Sequence, residues 1–210
     1  MIVDMSDEQL ALIRRKRSEE TIRSFKTKRT QVERWTSIEE VSDQALWDDR
    51  ARAAVKLIPR NVRVLDLGCG AMKIESLLPE GCSYIPADVV KRDERTVVID
   101  LNKQRLPNFG ADFVLGLGVL EYLFDMPRVL KQLSRQVPEG VFSYHPMDQS
   151  PKKDRIALGW VNSLNEPELM AILKYSGYKT VTPHIYKTGL TFYYVHRERN
   201  VIKADTEYLL

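Results

Sequence analysis

The chain has 210 residues, 43% of them hydrophobic and 29% charged, with a formal net charge of +3 and a mean hydropathy of −0.33. That length accommodates one domain plus an appendage, and the apolar fraction supplies a core, which excludes wholesale disorder. The charge is unevenly placed: from Arg14 to Arg34 there are nine lysines and arginines against three glutamates, a local +6 that leaves −3 for the rest.

The first residues, MIVDMSDEQL, carry acids where a secretory leader needs a basic start and an apolar stretch, so export is not expected. Cys69 and Cys82 are the only cysteines. They make neither a disulfide framework nor a four-ligand metal set, and a reducing, cytoplasmic setting is expected.

Residues 6 to 59 lack glycine and hold no proline before Pro59. Ser6 with Gln9 forms a candidate capping box, and Leu10, Ile13, Arg17 and Thr21 give a thin apolar stripe, so one long or two shorter helices are expected. A second helix is expected from Ile38 to Ile58, after Ser37 with Glu40 three residues on. It would bury Val41, Ala45, Trp47, Ala51, Ala54, Val55 and Ile58 on one face and end at Pro59.

From Asn61 the texture changes. Val62 to Leu67 is a short apolar run closed by Gly68, which reads as a buried strand and a tight turn. Ser83 to Ala87, Thr96 to Ile99, Ala111 to Leu115 and Val141 to Tyr144 are further strand candidates, with a helix at Met126 to Gln136. This alternation implies an α/β fold with a mostly parallel sheet covered on both faces. The apolar or glycine run Phe113 to Leu120, the longest in the chain, falls far short of the roughly 18 residues of a membrane span, so none is expected. Asn165 caps a helix through Tyr175 that Gly177 stops. Tyr178 to Tyr186 and Leu190 to Val195 then flank a turn at Lys187-Thr188-Gly189, a C-terminal antiparallel hairpin. The organisation expected is a basic helical extension or lid over 1–59, a main domain over 60–200 and a tail over 201–210.

The sharpest chemical signal is Val64-Leu65-Asp66-Leu67-Gly68-Cys69-Gly70. A strand ending in glycines lets the backbone approach a ligand at the carboxyl edge of a parallel sheet; a sharp turn without a ligand reads the same way. Asp88 falls 22 residues after Asp66, at the end of the second strand candidate, and Asp100 ends the third. Three carboxylates at three strand ends would line one crevice.

With these residues the chain resembles the class I S-adenosylmethionine-dependent methyltransferases of Rossmann-like fold. The resemblance runs from about Asn61 to His196 and rests on VLDLGCG (64–70), Asp88 in YIPADVV, Asp100 in VVIDLNKQRLP, ADFVLGLGVLEYL (111–123), MPRVLKQLSRQVPEG (126–140) leading into VFSYH, and EPELMAILKYSGYKTV (166–181). It implies a sheet of about seven strands and S-adenosylmethionine as cofactor. In the family the glycine loop adjoins the methionine moiety, the second-strand acid holds the ribose and the third-strand acid contacts the adenine. Those roles would fall on Asp66, Gly68, Cys69, Gly70, Asp88, Val89, Asp100 and Leu101, with Gly116 on the strand-four wall.

Two departures carry expectations. Met72 stands where the loop usually has a third glycine, and a larger side chain there would narrow the pocket. Only Val89 to Thr96 separates the second and third strands, so the helix usual there is expected to be missing or reduced to a turn.

Methyl transfer is an in-line displacement, and a base is needed only for a hydroxyl or a protonated amine. Many small-molecule members carry Leu-Glu-His after strand four, where this chain has Leu120-Glu121-Tyr122. His145 leaves the fifth strand at its cofactor-facing end and is the candidate catalytic base, with Tyr144 a candidate bond to a substrate hydroxyl. Each could instead serve packing. Glu121 either caps or supports the following helix, and Trp160 lines a substrate pocket or pins its loop. The partner expected is a small-molecule or saccharide-like methyl acceptor, with O-methylation favoured if His145 is a base. A non-catalytic cofactor-binding protein is one alternative. An RNA-associated enzyme using the basic segment is another, although the place after strand four reads Gly116-Leu117-Gly118-Val119 and lacks the Pro-Pro-aromatic grip for a flipped base.

Overall fold

A computed structural model describes residues 6–36, 44–187 and 189–198. The expected helix start at Ser37 and Glu40, the turn residue Thr188 and the tail over 201–210 lie outside the described residues.

Seven strands, β1 (Arg63–Leu67), β2 (Ser83–Asp88), β3 (Val97–Val98), β4 (Phe113–Leu117), β5 (Glu139–Tyr144), β6 (Thr180–Lys187) and β7 (Leu190–His196), form one sheet in the order β3-β2-β1-β4-β5-β7-β6. The first five are parallel; β7 runs antiparallel to β5, and β6 to β7. The two-residue period of strands sorts the core onto two faces. Leu65, Leu67, Val114, Phe142 and Tyr144 point to one, and Val64, Phe113, Leu115 and Val141 to the other.

Helices α4 (Met126–Gln136) and α5 (Glu166–Tyr175) cover the first face. In α4 the Asp125 carboxylate caps the Arg128 N–H, and Met126, Val129, Leu130 and Leu133 recur at helical spacing and are buried. Each such side chain contributes roughly 1.5–3 kcal/mol by leaving water. In α5 Asn165 and Glu168 form a reciprocal capping box, and Leu169 and Leu173 face the core.

The other face is closed by α3 (Gln44–Ala54) and the 3-10 turn after it, through Ala51, Ala54 and Ile58. The basic lead-in thus divides. Helix α3 packs into the body, whereas α1 (Asp7–Thr27), capped by the Ser6–Gln9 box, buries only Thr21 and Ser24. After α1 the chain crosses to the carboxyl edge of the sheet, where the one-turn α2 (Glu33–Thr36) sits.

No α-helix occupies 89–96, as expected, and the connection from β1 to β2 has only a 3-10 turn at Glu75–Leu77. Pro79 and Gly81 leave no room there for a longer helix. Among the described residues no helix is long and apolar enough to cross a membrane.

Candidate active site

The carboxyl ends of the parallel strands open into a cleft of about 480 Å³. One end of it is the loop after β1. Gly68 and Gly70 have φ of 77° and 51°, and the N–H groups of Gly68 and Cys69 both donate to the Ala87 carbonyl, at 2.8 and 3.1 Å. Met72 also lies in the left-handed region, at φ 55°, but is not among the residues lining the cleft. Its side chain therefore does not narrow the pocket, contrary to expectation. The cost of Met72 is conformational, since a residue with a Cβ disfavours that region.

Asp66, next to last in β1, is almost wholly buried and accepts a hydrogen bond from the Tyr84 hydroxyl at 2.6 Å. Burial pushes its carboxyl up to about 6, against the Tyr84 hydrogen bond, which pulls it down. The neighbouring Cys69 thiol is pushed up too, chiefly by burial and then by Asp66 and Asp88, so it stays protonated and unreactive. Asp88 ends β2 and ties the glycine loop down: Oδ2 accepts from Gly70 N–H at 2.8 Å and Oδ1 from Val90 N–H at 2.9 Å. Asp100 follows β3. Its Oδ1 accepts from the Thr30 hydroxyl at 2.6 Å and from Asn102 N–H at 3.0 Å. Lys103 Nζ stands 3.2 Å from Oδ2, yet no hydrogen bond reaches that buried oxygen.

The opposite wall comes from the turn after β4 and the end of β5. Glu121 is 1% exposed, and its Oε1 lies 3.3 Å from His145 Nδ1 and accepts the His145 backbone N–H at 3.2 Å. His145 Nε2 is not hydrogen-bonded to any described residue. The His145 ring lies at 30° to Trp160, with centroids 4.9 Å apart, and the Arg155 guanidinium sits over Trp160. Trp160 therefore both lines the cleft and pins its loop.

Asp66, Gly68, Cys69, Gly70, Asp88, Val89, Asp100, Leu101 and His145 all line this one cleft; Gly116 and Tyr144 do not. Gly116 is a packing glycine: a Cβ there would stand 2.6 Å from the ring of Phe142, its partner on β5. The cleft is lined instead by Leu117, Gly118 and Val119. Tyr144 is fully buried. Its hydroxyl donates to Asn162 Oδ1 at 2.6 Å and accepts from Leu164 N–H and Arg155, leaving nothing for a substrate. That network has another effect. Asn162 Nδ2 donates to the carbonyls of Leu120 and Leu123, and Arg155 to that of His145, so Tyr144 braces the segments that hold Glu121 and His145.

Residues the sequence reading passed over close the cleft from the N-terminal side. Thr30 bonds Asp100, Trp35 meets Tyr122 edge-on at 4.9 Å, and Arg34 and Arg50 line the interior.

A family model described as a methyltransferase domain matches residues 38–182, well over half the chain. The chain belongs to the methyltransferase-domain family. The match begins within the helical lead-in, as the packing of α3 does. No protein of curated function matches the sequence. Among solved structures, the methyltransferase is similar to human N-acetylserotonin methyltransferase in complex with SAM (TM-score 0.58, 14% identity, 89% of this chain and 67% of that one). It is also similar to a Thermotoga maritima SAM-dependent methyltransferase described as a possible histamine N-methyltransferase (0.55, 14%, 77% and 97%). A third is Burkholderia thailandensis 1,6-didemethyltoxoflavin-N1-methyltransferase with bound 1,6-didemethyltoxoflavin and S-adenosylhomocysteine (0.54, 17%, 91% and 89%). At these identities the likeness is one of fold. The methyltransferase shares its Rossmann-like sheet with these S-adenosylmethionine-dependent enzymes.

Proposed function

We propose that the methyltransferase methylates a hydroxyl of a small-molecule or saccharide-like acceptor, with His145 as the base. The observation that carries this reading is the Glu121–His145 pair at the cleft wall. A carboxylate on Nδ1 fixes the tautomer that presents a bare Nε2, the form that takes a proton.

The residues at the strand ends suit the cofactor. The buried, unbonded Oδ2 of Asp100 is an acceptor waiting for a donor such as an exocyclic amine, and Asp88 Oδ2, which accepts only from Gly70 N–H while Oδ1 takes Val90 N–H and Arg92, keeps a lone pair for a ribose hydroxyl. The Gly68–Gly70 turn brings bare backbone to the methionine end. Bound there, S-adenosylmethionine supplies a methyl group on a sulfonium sulfur. The chain's own part is to hold the acceptor oxygen in line, take its proton at His145 Nε2 and keep water out. We assign the last task to the segment Thr30 to Trp35 as a lid. The cleft volume lies in the range of small-molecule sites.

Replacing His145 with Gln is expected to lower kcat about 10²- to 10⁴-fold while S-adenosylhomocysteine affinity stays within about twofold. Unchanged kcat in the variant would reject the assignment.

A second reading, binding to RNA, rests on Arg14, Arg15, Lys16 and Arg17, all exposed along α1. It requires RNA affinity that falls steeply between 50 and 200 mM salt, by about a hundredfold or more, and disappears without α1.

A further inference from the structure

We propose that the methyl acceptor carries an anionic group, a carboxylate or phosphate, which docks on Arg34. The proposal rests on the reading above, in which the acceptor occupies the His145 side of the cleft.

Of the four acids lining the cleft, Glu121 is engaged by His145 and the other three lie together. Asp66, Asp88 and Asp100 stand at the ends of β1 to β3, on the side assigned to the cofactor. Arg34 comes from the lid and packs against Gly159, the residue before Trp160, which stacks on His145. Gly159 sits at φ 84°, and a Cβ there would be 2.9 Å from Arg34 Nη1, so the loop makes room for the guanidinium at this point.

Nη1 is buried and has no hydrogen-bond partner, and no ion pair among the described residues includes Arg34. The other cations at the rim differ: Lys73 pairs with Asp48 and Lys187 with Asp49, while Arg17 and Lys153 are exposed to solvent. Burial, the largest effect, lowers the Arg34 pKa, as does the nearby Arg17, while Tyr122 and Glu20 act in the opposite sense. Leaving a partly buried guanidinium without a counter-ion costs free energy that a ligand anion would offset, and its planar fork matches carboxylate and phosphate oxygens.

Arg50 is a second cation with a buried, unpartnered Nε, seated against Gly118. Its surroundings are acidic, with Glu121 and Asp66 both acting on it. The one carboxylate that acts on Arg34 is Glu20 of α1, which does not line the cleft, and this is why the anion is assigned to Arg34.

The test is calorimetric titration of the full chain loaded with S-adenosylhomocysteine. The probes are benzoate, phenyl phosphate and the neutral benzamide. At least one anion should bind ten times or more as tightly as benzamide, and which one does so separates carboxylate from phosphate. Replacing Arg34 with Gln should erase the preference, Arg34→Lys should keep part of it, and S-adenosylhomocysteine affinity should stay within twofold in both. No preference in wild type, or a preference that survives Arg34→Gln, would overturn the proposal. So would an Arg34→Gln loss of affinity for S-adenosylhomocysteine that spares 5′-methylthioadenosine, because the anion on Arg34 would then be the cofactor's own carboxylate. Failure of the His145 assignment shows separately, in an unchanged kcat of His145→Gln, with the anion preference intact.

Discussion

Two residues, one lining the cleft and one beside it, hold a charge or a conformation that the fold disfavours, and each can be relieved on its own. Met72 occupies the left-handed region without lining the cleft. Met72→Gly is therefore expected to raise unfolding free energy by about 1 kcal/mol, measured by urea denaturation, with cofactor affinity unchanged. Asp66 is the other. Its folded carboxyl binds a proton up to about pH 6, above the value near 3.9 of an unfolded chain. The folded state therefore holds more protons, and stability from this group is greatest below about pH 4 and lost as pH rises through 6. The shift corresponds to at most about 3 kcal/mol. Asp66→Asn keeps an oxygen for the Tyr84 hydroxyl and should be more stable than wild type at pH 8, with the two converging near pH 4. A gap that does not depend on pH would contradict this.

At the scale of elements, helix α4 and the lid present opposite cases. Leu130 lies fully buried on α4 against the sheet, and Leu130→Ala should cost about 2–5 kcal/mol in chemical denaturation without altering the cleft chemistry. The lid should behave in reverse. Removing residues 1–36 takes Thr30 from Asp100 and Trp35 from Tyr122, so stopped-flow dissociation of S-adenosylhomocysteine should speed up while the sheet stays folded.

What the sequence made legible follows the same division. Helices α4 and α5 were plain because an Asp or Asn cap, a periodic apolar face and a stop all lie within a dozen residues of each other. The acids at the strand ends were plain for a similar reason: each closes its own apolar run. Strand β3 was overestimated because only Val97 and Val98 pair with β2 at the sheet edge. Tyr144 looked available because its position next to His145 says nothing of Asn162, Leu164 and Arg155, which use up its hydroxyl. Glu121 and His145 lie 24 residues apart and meet only because β4 and β5 are neighbours in register. Thr30, Arg34 and Arg50 precede β1 altogether and reach the cleft by folding back over it, which no local pattern encodes.

Across the whole molecule, the net charge of +3 averages a basic exposed helix and an acidic body, and the cleft lies where the two meet. Asp66, Asp88 and Asp100 reach it from strand ends that the backbone of the sheet fixes in place, and Thr30 and Arg34 reach it from the N-terminal segment. Binding at such a seam should tie the two together: S-adenosylhomocysteine at 100 times its Kd should add about 2.7 kcal/mol to the unfolding free energy. The most direct measurement is a calorimetric titration of the full chain with S-adenosylhomocysteine, run beside Asp88→Ala. One-to-one binding is expected in wild type, weakened at least about tenfold in the variant, which loses charged hydrogen bonds. Equal affinity in the two proteins, or no binding at millimolar ligand, would contradict the placement of the cofactor at the strand ends.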